Sequence, residues 1–97
     1  MKQIKRVEII VGRKESEKIF DLLKKMQIPG YSRIKNVEGA GDKFDRDGDY
    51  PSDVFSNNLI IVGCSNEDFE KIKEPLRQML KESSGVCMVS DALWLKH

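Results

Sequence analysis

"VEIIVGRKESEKIFDLLKKMQIPG", residues Val7 to Gly30, contains a change of period that decides the fold. Val7 to Val11 is a β-branched apolar run closed by Gly12, the pattern of a buried strand. From Glu15 to Met26 the apolar residues Ile19, Phe20, Leu22, Leu23 and Met26 recur at helical spacing, with Glu17, Lys18, Asp21, Lys24 and Lys25 between them. That is an amphipathic helix with one face for a sheet. Ile28 to Gly30 ends it, because proline cannot continue the hydrogen-bond ladder and glycine tolerates the turn.

Downstream the alternation repeats. Tyr31, Arg33, Lys35 and Val37 alternate with Ser32, Ile34 and Asn36 up to Gly39, which predicts a second strand. A polar loop follows, and Asn58 to Cys64 is a third strand. Ser65 or Asn66 then offers a helix cap before the acidic first turn of Glu67 and Asp68. Phe69, Ile72, Leu76, Met79 and Leu80 form the next apolar stripe, in which Pro75 predicts a kink or the helix's true start. Ser83 to Gly85 closes it, Val86 to Val89 is strand four, and Ala92 to His97 is a short fifth strand or a tail folded on the rim. The order strand, helix, strand, strand, helix, strand predicts an α+β fold, a ferredoxin-like βαββαβ sandwich. Its antiparallel sheet carries two helices on one face, and its bare face is free to serve as an oligomer interface.

A chain of 97 residues is a single domain with one thin core, so a cleft larger than a groove needs a second subunit. Its 17 basic residues nearly cancel its 16 acidic ones, so no global field draws it to nucleic acid or anionic membrane. No apolar stretch reaches the roughly 20 residues that span a bilayer, and the start lacks a cleavage signal. A soluble, cytoplasmic protein is expected. Cys64 and Cys87 lack metal or redox spacing and sit in apolar runs, so both are read as small buried hydrophobes without a disulfide.

The loop "GAGDKFDRDGDYPSD", Gly39 to Asp53, is the segment richest in polar chemistry. Asp45, Asp47, Asp49 and Asp53 are oxygen donors, but counting from Asp45 an EF-hand's sixth and twelfth places hold Tyr50 and Ser56 rather than glycine and glutamate. Gly39 and Gly41 follow a strand as in a dinucleotide fingerprint, yet the third glycine is missing and Pro51 blocks the helix. What is left is a strand-ending turn or a nest of backbone N–H groups for a phosphate. His97 is the sole histidine, so neither a catalytic triad nor a three-histidine metal site assembles within one chain. Arg13 lacks the glycine-rich anion loop of the small acylphosphatases, and the central strands lack the displayed aromatics of an RNA-recognition module.

Taken together, "IPGYSRIKNVEGAG", "NNLIIVGC" and "GVCMVSDALWLKH", in that order around a polar loop, resemble the PII signalling proteins. The likeness is stronger to the short PII-like branch associated with carboxysomes and bicarbonate transporters. The resemblance covers nearly the whole chain and implies a homotrimer that binds adenine nucleotide in clefts between subunits. It also implies a T-loop, residues 40–55, that changes with the ligand and grips a partner such as a membrane transporter. On it, Gly39, Ala40 and Gly41 are the phosphate-side hinge and Asp42, Lys43, Phe44, Arg46 and Tyr50 belong to the partner-binding arm. Gly30, Tyr31 and Ser32 lie near base or ribose, Ser84, Gly85 and Val86 near phosphate, and Lys96 and His97 reach phosphate from the tail.

Departures from the family pattern sharpen the expectation. Val86 stands where a phosphate-binding lysine belongs, Asn57 replaces a second lysine, and the loop before strand four is short. ADP or AMP should therefore bind better than ATP, each lost charge-assisted hydrogen bond costing roughly 1.5 to 3 kcal/mol. Asp42 and Lys43 replace the glutamine that serves magnesium and 2-oxoglutarate, so sensing of 2-oxoglutarate is not expected. Bicarbonate follows as a second ligand from the branch alone, with Lys43 and Arg46 as the cations at hand. The resemblance implies a regulator without catalytic or metal residues; a metal-handling trimer of the divalent-ion-tolerance type is the alternative, on the acidity of the loop.

Overall fold

The computed structural model describes residues 1–39 and 57–96. Its elements are β1 (Lys2–Gly12), α1 (Arg13–Lys25), β2 (Tyr31–Val37), β3 (Asn57–Cys64), α2 (Asn66–Lys81) and β4 (Val86–Trp94). The strands form one antiparallel sheet in the order β2-β3-β1-β4. This is the ferredoxin-like sandwich that the change of period predicts.

Both helices lie on one face. Val7, Ile9 and Val11 of β1 and Ile60 and Val62 of β3 are buried there against Ile19 and Leu23 of α1 and Ile72 and Leu76 of α2. The core is the meeting of a period-two stripe with two period-3.6 stripes. Residues of the other parity point away from the helices, and among them Ile34, Val86 and Met88 remain 51, 45 and 68% exposed. Among the described residues, the face away from the helices therefore carries an exposed apolar patch, beside the ion-paired Arg6 and Glu8 of the same parity. Trp94 lies on it over Gly63 and Ile4, where a Cβ on Gly63 would come within 2.7 Å of the indole, and Ile4 is 8% exposed.

Several boundaries differ from the sequence reading. β1 begins at Lys2 rather than Val7, and β4 runs on to Trp94 rather than ending at Val89. Each supplies the other's partner: the polar stretch Ser90 to Ala92 pairs with Arg6 to Ile4, and Lys5 Nζ donates to Asp91 at 2.6 Å. The fifth strand is accordingly absent among the described residues, since Ala92 to Trp94 end β4. β2 stops at Val37, short of Gly39, after a register shift between Ile34 and Val37.

α1 stops before the Pro29 that was expected to end it. Gln27 adopts a left-handed conformation at φ 58°, its N–H donates to the Lys24 carbonyl, and the Ile28 N–H reaches back to Leu23. This is a Schellman closure with glutamine where glycine is usual, sealed by burial of both Ile28 and Leu23. α2 starts as expected, with the Ser65 hydroxyl accepting from the Asp68 N–H at 3.1 Å. Pro75 neither starts nor ends α2: it sits half-buried inside a continuous helix, one turn after the fully buried Ile72.

Candidate nucleotide cleft and its comparison with known proteins

The predicted site residues fall into groups on opposite flanks of the sheet. Gly30, Tyr31 and Ser32 enter β2, one edge strand, while Ser84, Gly85 and Val86 enter β4, the other. Three strand spacings separate those edges, about 14 Å. Along the strands, Val86 pairs with Ile10 near the end of β1 where Gly12 meets Asn57 and Asn57 meets Val37, so Val86 and the approach to Gly39 share one end of the sheet. Lys96 follows Trp94, which pairs with Lys2 at the other end, about 26 Å along β4. One protomer therefore does not gather these residues into one pocket. Ala40, Gly41, Asp42, Lys43, Phe44, Arg46, Tyr50 and His97 lie outside the described residues, as do Asp45, Asp47, Asp49 and Asp53.

The β2 flank is tied down by contacts that sequence reading missed. Arg33 donates to the Ser16 hydroxyl at 3.2 Å and to Glu17 at 2.6 Å, and its guanidinium stacks 4.2 Å above the Phe20 ring. Phe20 also meets Tyr31 edge to face at 5.1 Å. Ser16 is wholly buried, so Arg33 gives its hydroxyl a partner and α1 holds β2 through one cation and two rings. The available signals were Arg33 sharing the parity of Tyr31 and Ser16 standing one turn before Phe20.

At the loop end of the sheet, the Asn36 N–H donates to the carbonyl of the buried Asn58 side chain at 3.4 Å, with Asn36 at φ 61°. The extra residue of the register shift is thereby pinned where β2 leaves the sheet. Asn58 occupies the inward parity of β3, and a polar residue there was the sequence's sign of a buried bond.

The β4 flank is built differently. A Cβ at Gly85 would lie 2.5 Å from Val11 Cγ1 and 3.1 Å from the Ile10 carbonyl, so close packing on β1 requires glycine whatever the ligand. Its N–H donates to the Ser83 hydroxyl at 3.1 Å. Val86 presents an apolar side chain on the bare face where a cation was sought. Beside this flank, α2 and β4 form an open groove of about 250 Å³ that Gly85 and Val86 help to line.

Both cysteines are free, Cys64 buried and Cys87 half-buried. Burial pushes the Cys87 thiol up to about 11 and raises that of Cys64, with the Asp68 charge a lesser cause for the latter. Both are neutral small hydrophobes near pH 7. Among the described residues no three His, Cys, Asp or Glu gather as metal ligands, and no helix is long and apolar enough to cross a membrane.

Comparison with known proteins bears on the whole chain. No curated protein matches it. Among solved structures it is similar to CPII, a nitrogen regulatory PII-like protein from Thiomonas intermedia K12, bound to ADP, AMP and bicarbonate. The two share 23% identity over 94% of this chain and 87% of that one, with a TM-score of 0.79. The apo form of CPII gives 22% identity, 94 and 90% coverage and a TM-score of 0.73. The GlnK–ATP complex of B. subtilis gives 22% identity, 93 and 82% coverage and a TM-score of 0.66. At these identities the solved structures carry the fold. The description of the nitrogen regulatory protein P-II family matches residues 4–97, from the first buried residue of β1 to the end of the chain, and the protein belongs to that family.

Proposed function

We propose that this protein is a non-enzymatic regulator that binds adenine nucleotide between neighbouring copies of a trimer. Occupancy of the cleft is passed to a protein partner, a bicarbonate or other membrane transporter, through the loop of residues 40–55. The observation that carries the reading is the placement of Gly30, Tyr31 and Ser32 on one edge of the sheet and of Ser84, Gly85 and Val86 on the other. Two copies set side by side bring a β2 edge to a β4 edge and close a cleft that one copy lacks. The exposed Ile34, Val86 and Met88 on the bare face supply the apolar surface for such an assembly. The loop then acts by an order change whose extent is limited by the ligand's differential affinity for its two states.

CPII with ADP, AMP and bicarbonate, and GlnK with ATP, support an adenine nucleotide as ligand. ADP or AMP is favoured over ATP because Val86 and Asn57 replace the expected cations, and bicarbonate is the proposed second ligand. Lys96 and His97 reach phosphate only from a tail that lies across the cleft.

Sedimentation equilibrium and calorimetric titration with ADP, AMP and ATP, on the natural protein and on Met88→Lys, test the reading. Met88 is 68% exposed and directly opposite Glu8, so a lysine there leaves the protomer stable while placing charge on the proposed interface. The natural protein should sediment as three copies and bind ADP about tenfold or more tighter than ATP. Met88→Lys should sediment as one copy and bind neither. A single-copy protein that binds ADP at undiminished affinity refutes the inter-subunit cleft.

A further inference from the structure

β2 keeps its place with little help from the core. Among the described residues β3 is its one strand neighbour, and none of its side chains is fully buried, Tyr31 packing only in part against the core cluster. What fixes β2 against α1 is Arg33, whose Nη1 donates to both the Ser16 hydroxyl and Glu17 while its guanidinium covers the Phe20 ring. An aliphatic side chain at this inward position would also cover Phe20, without the cost of ordering a long charged chain. It would, however, be free to slide. The planar guanidinium has two directional acceptors and a ring beneath it, so it sets both the height and the tilt of β2 on α1. Stability is not its main yield, since the Glu17 side chain is 62% exposed.

Ser32 stands next to Arg33, and strand alternation turns its side chain to the reverse face, where it is exposed. A roll of β2 about its own axis therefore displaces Ser32 as much as Arg33. We propose that Arg33 is a positioning residue for the nucleotide cleft: held by Ser16, Glu17 and Phe20, it keeps Ser32 where a neighbouring copy's β4 flank can close on a bound adenine nucleotide. The inference rests on the inter-subunit reading above and adds to it a residue on the helix side of the sheet that touches no ligand. A displacement of about 1 Å suffices to lose a hydrogen bond to the base or ribose.

The test combines calorimetric titration with ADP, sedimentation and urea unfolding, on the natural protein, Arg33→Met, Arg33→Lys, Ser32→Ala and the double variant Arg33→Met with Ser32→Ala. Methionine keeps an unbranched chain over Phe20, and the released Ser16 hydroxyl can donate to the Gly12 carbonyl one turn back in its own helix. Arg33→Met should therefore unfold near the natural urea midpoint and sediment as the natural protein does, yet bind ADP about tenfold more weakly. Arg33→Lys, which keeps one charged donor, should recover part of that loss. The double variant should bind no more weakly than the weaker single one, because both changes act through the same contact. Natural affinity in Arg33→Met overturns the proposal, as does a loss that adds in full to that of Ser32→Ala. A large fall in the urea midpoint of Arg33→Met overturns it in favour of a purely stabilising role. Absence of ADP binding by the natural protein removes the cleft itself, and this inference with it, whatever Arg33→Met does.

Discussion

Both faces of the sheet carry large apolar side chains, and those side chains end in opposite conditions. Val7, Ile9, Val11, Ile60 and Val62 are 0 to 1% exposed beneath the helices, whereas Ile34, Val86 and Met88 on the reverse face are 45 to 68% exposed. Residue type does not explain this, since both sets are aliphatic or thioether side chains. What differs is that both helices of the described residues pack on one side of the sheet. The covered face supplies the protomer's own stability; the reverse face holds burial that only another molecule can complete.

That contrast can be broken most severely at its centre. Ile9→Ala removes a side chain that is fully buried, and should cost about 2 to 5 kcal/mol in denaturant unfolding; a loss below 1 kcal/mol would mean the covered face is not the stabilising one. A finer comparison sets two glycines side by side. Gly85→Ala drives a methyl to 2.5 Å from the buried Val11 and 3.1 Å from backbone, neither free to move, and should cost roughly 1 to 3 kcal/mol. Gly63→Ala on the reverse face meets the side chains of Trp94, 39% exposed, and Ile4 rather than backbone, so a smaller loss, under about 1 kcal/mol, is expected together with a change in tryptophan fluorescence. Equal losses at the two positions would show that Trp94 is held as firmly as the core.

The smallest effect concerns pH. Cys87 keeps its proton to about 11 in the folded protein through burial, so the folded state binds that proton more tightly than the unfolded chain does. Its contribution is present below the unfolded thiol's pKa, roughly 8.5, and is lost as pH rises through about 11. Alkylation by iodoacetamide in native protein should accelerate with a midpoint near 11, and a midpoint at the unfolded value would mean the groove is wet.

How much of this was legible in the sequence follows from which interactions are local. The period change at Gly12 gave the first strand and helix, and Ser65 before Glu67 and Asp68 gave the second helix's start, because both signals lie within a few residues. The extension of β1 to Lys2 and of β4 to Trp94 was not legible: their pairing joins residues more than eighty positions apart, and no local alternation announces it. Gln27 was overlooked because glutamine is a rare left-handed residue, and the neighbouring Pro29 and Gly30 offered a sufficient stop. Of the candidate site, the strand entries at Gly30 and Gly85 were legible from turn chemistry and from family likeness. Arg33 and Asn58 were not, since their value comes from Ser16, Phe20 and Asn36, brought to them by folding.

The strand order has a genetic corollary. On the proposed ring, a chain spoiled only on its Ser32 flank and another spoiled only on its Val86 flank are each inactive alone. Refolded together they form mixed rings, and every mixed ring contains a junction where the two sound flanks face each other. Two dead alleles would thus complement in one cell, and the rescued binding would appear only in the hybrids.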